Sequence, residues 1–375
     1  MRIPRYYDNL ENYLTLNKAL LIFGPRQVGK TAVLNDFLKN TNLKYKLENG
    51  DNIKVQDVLS SEDFDRIKEF VEGYELIAID EAQKIKNIGT GLKIIVDQVP
   101  GIKVIATGSS SFELLGQTGE PLTGRKTTIK LFPVAQLELK KLYNKYELKD
   151  HLSEYLIFGG YPSVVTEMAK NKKIEILNEI VESYLLKDIL EFEKVKGSKT
   201  IFNLLKLLAF QIGSEVSLSE LAQDIGTDHK TVGRYLDILE QSFIIYPLTG
   251  FSRNLRSEIT KKNKYYFYDN GIRNAIISNF NDLSLRDDVG KLWENFLFME
   301  RLKKREYNHI YANAYFWRTW EKQEIDLIEE EGWKLHAYEF KWKKDKVKVP
   351  SKWNETYRDS TFDVITKDNY LDFVL

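Results

Sequence analysis

The sequence predicts an α/β protein organised around a parallel sheet that cradles phosphate, and three observations predict it. The first is Gly24-Pro25-Arg26-Gln27-Val28-Gly29-Lys30-Thr31, spaced G-x-x-x-x-G-K-[ST], directly after the apolar run Ala19-Leu20-Leu21-Ile22-Phe23. The second is the run Leu76-Ile77-Ala78-Ile79, which closes on Asp80-Glu81. The third is Val104-Ile105-Ala106-Thr107, which opens into Gly108-Ser109-Ser110-Ser111. Short uninterrupted apolar runs of this kind fit strands buried on both faces, as parallel strands are.

The first motif is a P-loop, and each fixed position has a physical job. Gly24 and Gly29 let the backbone turn tightly, so that N–H groups converge on phosphate oxygens and the start of the next helix adds its positive dipole end. Residues 24–32, ending at Ala32, are the expected ATP-binding segment. Lys30 is a point charge for the β- and γ-phosphates, and the Thr31 hydroxyl is an expected Mg²⁺ ligand. Val33, Phe37 and Leu38 give the helical pattern that should follow.

The acids after the second run read as a Walker B pattern. Asp80 is expected to hold Mg²⁺ through its water shell, and Glu81 to orient or deprotonate the attacking water. Ser109 is the expected sensor of the γ-phosphate or of that water, with capping of the next helix as the alternative use of the serines. Strands near 44–47 and 127–131 complete a five-stranded parallel sheet, in which ligands bind at the carboxyl ends.

Length and composition bound the rest. At 375 residues, two or three domains are expected. Lys+Arg and Asp+Glu number 55 each, so net charge gives no argument for nucleic acid, and only local patches can. The absence of cysteine removes disulfides, Fe–S clusters and thiolate zinc sites. The four histidines are not at metal-ligand spacing. No apolar run approaches spanning length and the N-terminus does not read as a signal peptide, so a cytoplasmic protein without membrane insertion is expected.

The middle of the chain has helix-turn-helix spacing. Leu218, Leu221, Ala222 and Ile225 share one face of a short helix ended by Gly226, and Thr227-Asp228 can cap a second helix with Val232, Tyr235, Leu236 and Leu239 inward. The β-rich runs 243–248 and 264–268 flank the basic residues Arg253, Arg256, Lys261 and Lys262, as the strands and wing of a winged helix would. In a DNA-binding reading, His229, Lys230 and Arg234 face the groove; Asp228, Asp237 and Glu240 dilute that face.

The last third offers a different chemistry. A helix from Gly290 carries Leu292, Phe296 and Met299 as its core stripe, with Glu294 on a neighbouring face. Strand-like segments at 314–318, 324–328 and 335–342 follow. Asp326 and then Glu339-x-Lys341 match the PD-(D/E)xK nuclease pattern, with Glu339 and Lys341 on one strand face. There Asp326 and Glu339 are candidate Mg²⁺ ligands, Lys341 positions the attacking water, and Glu294 is an auxiliary acid. The lysines 343, 344, 346, 348 and 352 could track a phosphate backbone or form a solvated loop. Trp342 and Trp353 read as core or interface.

These motifs, with Leu122-Thr123-Gly124-Arg125 and Leu131-Phe132-Pro133, resemble the prokaryotic AAA+ ATPase family in which an ATPase core precedes a winged helix and a C-terminal nuclease-like module. Gly159-Gly160-Tyr161-Pro162 also resembles an element of that family. The resemblance implies an α/β P-loop NTPase core over 1–133, a helical lid and connector over 134–196, a winged helix over 197–285, and a restriction-endonuclease-like α/β domain over 286–375. It further implies that Arg125 acts on the γ-phosphate, in its own subunit or a neighbour's; pairing with nearby acids is the alternative. The expected function is Mg²⁺-dependent ATP hydrolysis coupled to a DNA-binding or nuclease-like region. The alternative is a nucleotide-switched protein-docking module with a non-catalytic nuclease-like domain. Monomer and homo-oligomer are both compatible with the sequence.

Overall fold

The computed structural model describes residues 2–109, 122–185, 198–252, 262–343 and 347–375. The chain divides into two compact units: Arg5–Phe132 with Gln241–Phe243, and Met1–Pro4 with Pro133–Glu240 and Ile244–Leu375.

In the first unit, β1 (Ala19–Phe23), β2 (Tyr45–Asn49), β3 (Leu76–Asp80), β4 (Lys103–Gly108) and β5 (Lys126–Lys130) form one sheet in the order β2-β3-β4-β1-β5. All four pairings are parallel. β1 and β3 are buried along their whole length, and every residue of the two strands except Asp80 is apolar. β2, at the edge, alternates exposed and half-buried residues, as its mixed sequence Tyr-Lys-Leu-Glu-Asn dictates. Helix α1 (Lys30–Asn40) follows β1 and buries Val33, Leu34, Phe37 and Leu38. A non-sequential strand order of this type leaves a crevice at the carboxyl ends of the central strands. β1, β3 and β4 all end there, and each runs into one of the three motifs.

The second unit is built on a mixed six-stranded sheet of order β11-β10-β9-β8-β6-β7. Its strands are β6 (Ile245–Gly250), β7 (Lys264–Phe267), β8 (Asn313–Arg318), β9 (Glu324–Glu331), β10 (Lys334–Phe340) and β11 (Thr361–Ile365). β6 pairs antiparallel with β7 through its first half and parallel with β8 at Thr249 and Gly250. The hairpin-like pair β6/β7 is therefore continuous with the C-terminal strands. One face buries Phe251, Trp317, Ile325, Ile328, Leu335, Ala337 and Trp353 together. Among helices, α2 (Ser198–Phe210), α3 (Leu218–Ile225) and α4 (His229–Gln241) precede the sheet, and the 19-residue α5 (Val289–Tyr307) inserts between β7 and β8.

Local chemistry fixes the joints of this unit. Gly226 ends α3 in the left-handed region at φ 69°, and Asp228 accepts the Lys230 and Thr231 N–H groups to start α4. Val232, Tyr235, Leu236 and Leu239 are buried on α4. In the Gly-Gly-Tyr-Pro element, the Gly160 N–H donates to buried Asp269 at 2.7 Å. A Cβ on Gly159, at φ +74°, would fall 2.0 Å from the same carboxylate, so only glycine fits. Trp353 is fully buried, and half-buried Trp342 packs edge-on to Trp293. No helix among the described residues is long and apolar enough to cross a membrane.

Candidate functional site

The turn after β1 is shaped by backbone crowding. A Cβ on Gly24 would meet the Leu131 carbonyl at 1.9 Å, so the chain can pass between β1 and the end of β5 only as glycine. Gly29, at φ 97°, turns the chain into α1. Lys30 opens the helix and is buried, and its ammonium donates to the carbonyls of Gly24 at 2.8 Å and Pro25 at 2.7 Å. An ammonium folded back over its own loop keeps its charge solvated by carbonyl dipoles, at the place where a polyphosphate would offer anionic acceptors instead. Pro25, Arg26, Gln27 and Val28 form the turn itself; Gln27 takes the left-handed φ of 60° and Val28 is buried. Ala32 lies in the first turn of α1, exposed.

Thr31 and Asp80, 49 residues apart, meet across β1 and β3. The Thr31 hydroxyl donates to Asp80 Oδ2 at 2.9 Å and Oδ1 lies 3.2 Å away. A hydroxyl and a carboxylate held this close on the rim of a phosphate-binding turn fit a hard, oxygen-preferring cation such as Mg²⁺. Thr107, at the end of β4, donates to the other side of Asp80, and its hydroxyl accepts the Glu81 N–H at 3.2 Å. Glu81 takes a left-handed φ of 52° as the chain leaves β3. Its carboxylate accepts from the Gln83 amide, which also donates to Ser109 Oγ at 3.1 Å. Lys30, Thr31, Asp80, Glu81 and Ser109 thus gather at one end of one sheet. Thr107 and Gln83 tie three of them together, and sequence reasoning gave neither a role. Ser110 and Ser111 lie outside the described residues.

Arg5 was also missed. Its buried guanidinium donates to the Val28 carbonyl in the turn and to the Phe132 carbonyl at 2.5 Å. Nothing in the local sequence marks it, because both acceptors come from elsewhere in the chain.

The expectation that Arg125 reaches the γ-phosphate in its own subunit is corrected by strand direction. Arg125 precedes β5, and its carbonyl accepts the Ala19 N–H at 2.9 Å, at the amino edge of β1. Five strand residues, about 16 Å, separate that edge from the turn after Phe23. Its guanidinium instead pairs with Asp97 at 2.5 Å.

In the second unit, Glu294 on α5, Glu324 and Asp326 on β9 and Glu339 on β10 form a carboxylate cluster with Lys264 of β7 inside it. Lys264 is 1% exposed. Its ammonium lies 2.5 Å from Glu324 and 3.6 Å from Glu294. Tyr266 donates to Glu294 at 2.6 Å, Lys341 pairs with Glu339 at 2.6 Å, and Asp326 accepts the Phe340 N–H at 2.7 Å. Burial raises the Asp326 carboxyl well above its ordinary range, and Glu294 and Glu339 add to that. Burial raises Glu339 as well, against the pull of Lys341. Burial disfavours the Lys264 ammonium, but Glu294, Glu324 and Asp326 outweigh it and hold its pKa above the ordinary lysine value.

The four expected residues Glu294, Asp326, Glu339 and Lys341 do come together. Lys341 lies one position beyond the end of β10, still on the Glu339 side. Asp326 and Glu339, the expected pair of cation ligands, lie on the neighbouring strands β9 and β10 of this cluster. Among the described residues no group of three or more histidines, aspartates or glutamates is arranged to hold a metal. Asp326 Oδ2 accepts the Phe340 N–H and Glu339 Oε1 accepts from Lys341, while Glu339 Oε2 is buried without a hydrogen-bond partner. Lys264 and Glu324 complete the cluster and were not foreseen.

On α4, His229, Lys230 and Arg234 are exposed, and so are Asp237 and Glu240. Lys262 lies 3.8 Å from Glu220. Arg253, Arg256, Lys261, Lys344 and Lys346, expected as phosphate contacts, lie outside the described residues, as does the connector beyond residue 185 up to 197.

Three family models match the chain: an AAA domain over residues 16–140, and two domains of unknown function, DUF8612 over 149–283 and DUF4143 over 289–367. An uncharacterized protein of Haemophilus influenzae is 27% identical over 80% of this chain and 78% of its own. One from Methanocaldococcus jannaschii is 25% identical over 85% of this chain and 74% of its own. Among solved structures, a Walker-type ATPase of Pyrococcus abyssi is similar at a TM-score of 0.45 and 14% identity, over 72% of this chain and 93% of that one. The phosphate cradle therefore sits on a P-loop, AAA-type ATPase-like domain matched over residues 16–140.

Proposed function

We propose that this chain binds ATP at residues 24–32 and hydrolyses it with Mg²⁺, and that the second unit couples turnover to a macromolecular partner. The observation that carries the reading is the joint between the Thr31 hydroxyl and the Asp80 carboxylate, beside the buried Lys30 ammonium. In this reading the turn's N–H groups bind the phosphates, and Lys30 exchanges its two carbonyl acceptors for β- and γ-oxygens. Thr31 and Asp80 hold Mg²⁺, which neutralises charge developing on the transferred phosphoryl group. Glu81 orients the attacking water and takes its proton, and Gln83 sets the Glu81 carboxylate against Ser109. Binding of a fluorescent ATP analogue tests this. Lys30→Ala should lose binding and Glu81→Gln should retain ATP uncleaved; wild-type turnover by both variants would overturn the assignment.

For the second unit, helices α3 and α4 with the strands β6 and β7 support a winged-helix reading in which His229, Lys230 and Arg234 contact DNA. Asp326, Glu339 and Lys341 keep the order and adjacency of a nuclease-like site. A second reading, a nucleotide-switched docking module that does not cleave, is favoured by one observation: the buried ammonium of Lys264 inside the carboxylate cluster. Anisotropy of a labelled duplex separates them. Binding that weakens in Lys230→Glu/Arg234→Glu and falls steeply with salt supports DNA contact; no binding supports docking.

A further inference from the structure

The carboxylate cluster of the second unit has the residues of a divalent-cation site without the arrangement of one. Four carboxylates, those of Glu294, Glu324, Asp326 and Glu339, converge from α5, β9 and β10. Isolated carboxylates that leave water need a cation or hydrogen-bond donors in return. A nuclease of this pattern supplies the cation from solvent, as a metal that also activates water. Here the chain supplies it. Lys264 begins β7, whose remaining residues, Tyr265, Tyr266 and Phe267, are buried with it, so its stem is carried inward along an apolar strand. Its ammonium reaches Glu324 at 2.5 Å and Glu294 at 3.6 Å, with the Phe316 ring centroid 5.2 Å away. The Glu294 oxygen that faces Lys264 also accepts the Tyr266 hydroxyl, so it is held on both sides. Lys341 balances Glu339 in the same way from the far side.

We propose that Lys264 is the resident cation of this cluster. It occupies the space between Glu294 and Glu324 that a divalent ion drawn to this cluster would enter, and it keeps the site free of metal. The buried Lys264 ammonium and the partly exposed Lys341 ammonium each pair with carboxylates of the cluster, and in this reading no Lewis acid is held there to activate water for phosphodiester cleavage. The cluster then serves as a fixed polar joint between α5, β7, β9 and β10. The inference is independent of the ATP chemistry assigned to the first unit.

Mn²⁺ binding to the full chain, read by electron paramagnetic resonance without nucleotide, tests it. An Asp80→Asn background removes the metal position expected in the first unit, so failure of that reading does not mimic failure of this one. The expected results are no Asp326-dependent Mn²⁺ in the Asp80→Asn protein, and one newly bound Mn²⁺ per chain when Lys264→Met is added. That ion should be lost again on adding Asp326→Asn. Stoichiometric Mn²⁺ binding with Lys264 intact, abolished by Asp326→Asn, would overturn the proposal. So would a folded Lys264→Met protein that gains no ion. Should Lys264→Met not fold, the comparison of Asp80→Asn with Asp80→Asn/Asp326→Asn decides the matter alone.

Discussion

The Thr31 hydroxyl donates to the Asp80 carboxylate at 2.9 Å, joining the first turn of the helix after β1 to the end of β3. Neither residue is near the other in sequence. The parallel pairing of β1 with β4 and of β4 with β3 brings their carboxyl ends to one rim, and the rim is where the phosphate-binding turn opens.

Glu81 is the residue whose loss should separate binding from chemistry. Glu81→Gln preserves the shape and the hydrogen bond to Gln83 but removes the proton acceptor. ATP affinity should stay within about threefold, while single-turnover hydrolysis falls roughly 100-fold or more. Rapid-quench measurement with radiolabelled ATP checks both.

Arg125 should behave as a residue remote from its own subunit's nucleotide. Arg125→Ala breaks an ion pair with Asp97 that is partly exposed on both sides, worth at most about 1 kcal/mol. ATP affinity measured by titration calorimetry at low protein concentration should be unchanged. A loss of affinity under those conditions would contradict the strand geometry.

Asp326 trades stability for position. Its carboxyl is raised chiefly by burial, so between about pH 4 and that raised value the folded chain holds a proton the unfolded chain has released. Stability contributed by this group therefore falls as pH rises through that window. Asp326→Asn should raise the melting temperature at pH 7 and flatten its pH dependence, as read by scanning calorimetry.

Asp288 has the opposite sign. Partial burial pushes its carboxyl up, but hydrogen bonds and charge from Arg286 and Arg273 win and bring it down to about 2 from 3.8. The stability it contributes is present above about pH 4 and lost as pH falls toward 2. After allowance for partial solvent screening, Asp288→Asn should cost about 1–2 kcal/mol at pH 7. The gap to wild type should close between pH 4 and pH 2 in urea titrations.

The first unit was legible because its chemistry is local. β1, β3 and β4 are uninterrupted apolar runs, and each hands over to its functional residues within one or two positions. Arg125 was misplaced although the signal existed: it precedes its strand, and parallel strands put that end away from the ligand. Arg5 had no such signal, since its partners Val28 and Phe132 are set by tertiary contact alone. In the second unit Asp326, Glu339 and Lys341 were visible from strand alternation. Lys264 was not, because a lysine opening an aromatic strand reads as a solvent-facing end; the groups around its ammonium, Glu294, Phe316 and Glu324, come from α5, β8 and β9 and are set by tertiary contact. Glu324 was placed only as the first residue of a strand-like segment, with no role assigned to it.

Steady-state ATP turnover in Mg²⁺, wild type beside Lys30→Ala, tests the central claim most directly. The account predicts turnover by the wild type and none above blank in the variant, whose turn has lost its buried ammonium. Equal turnover by the two proteins would contradict it.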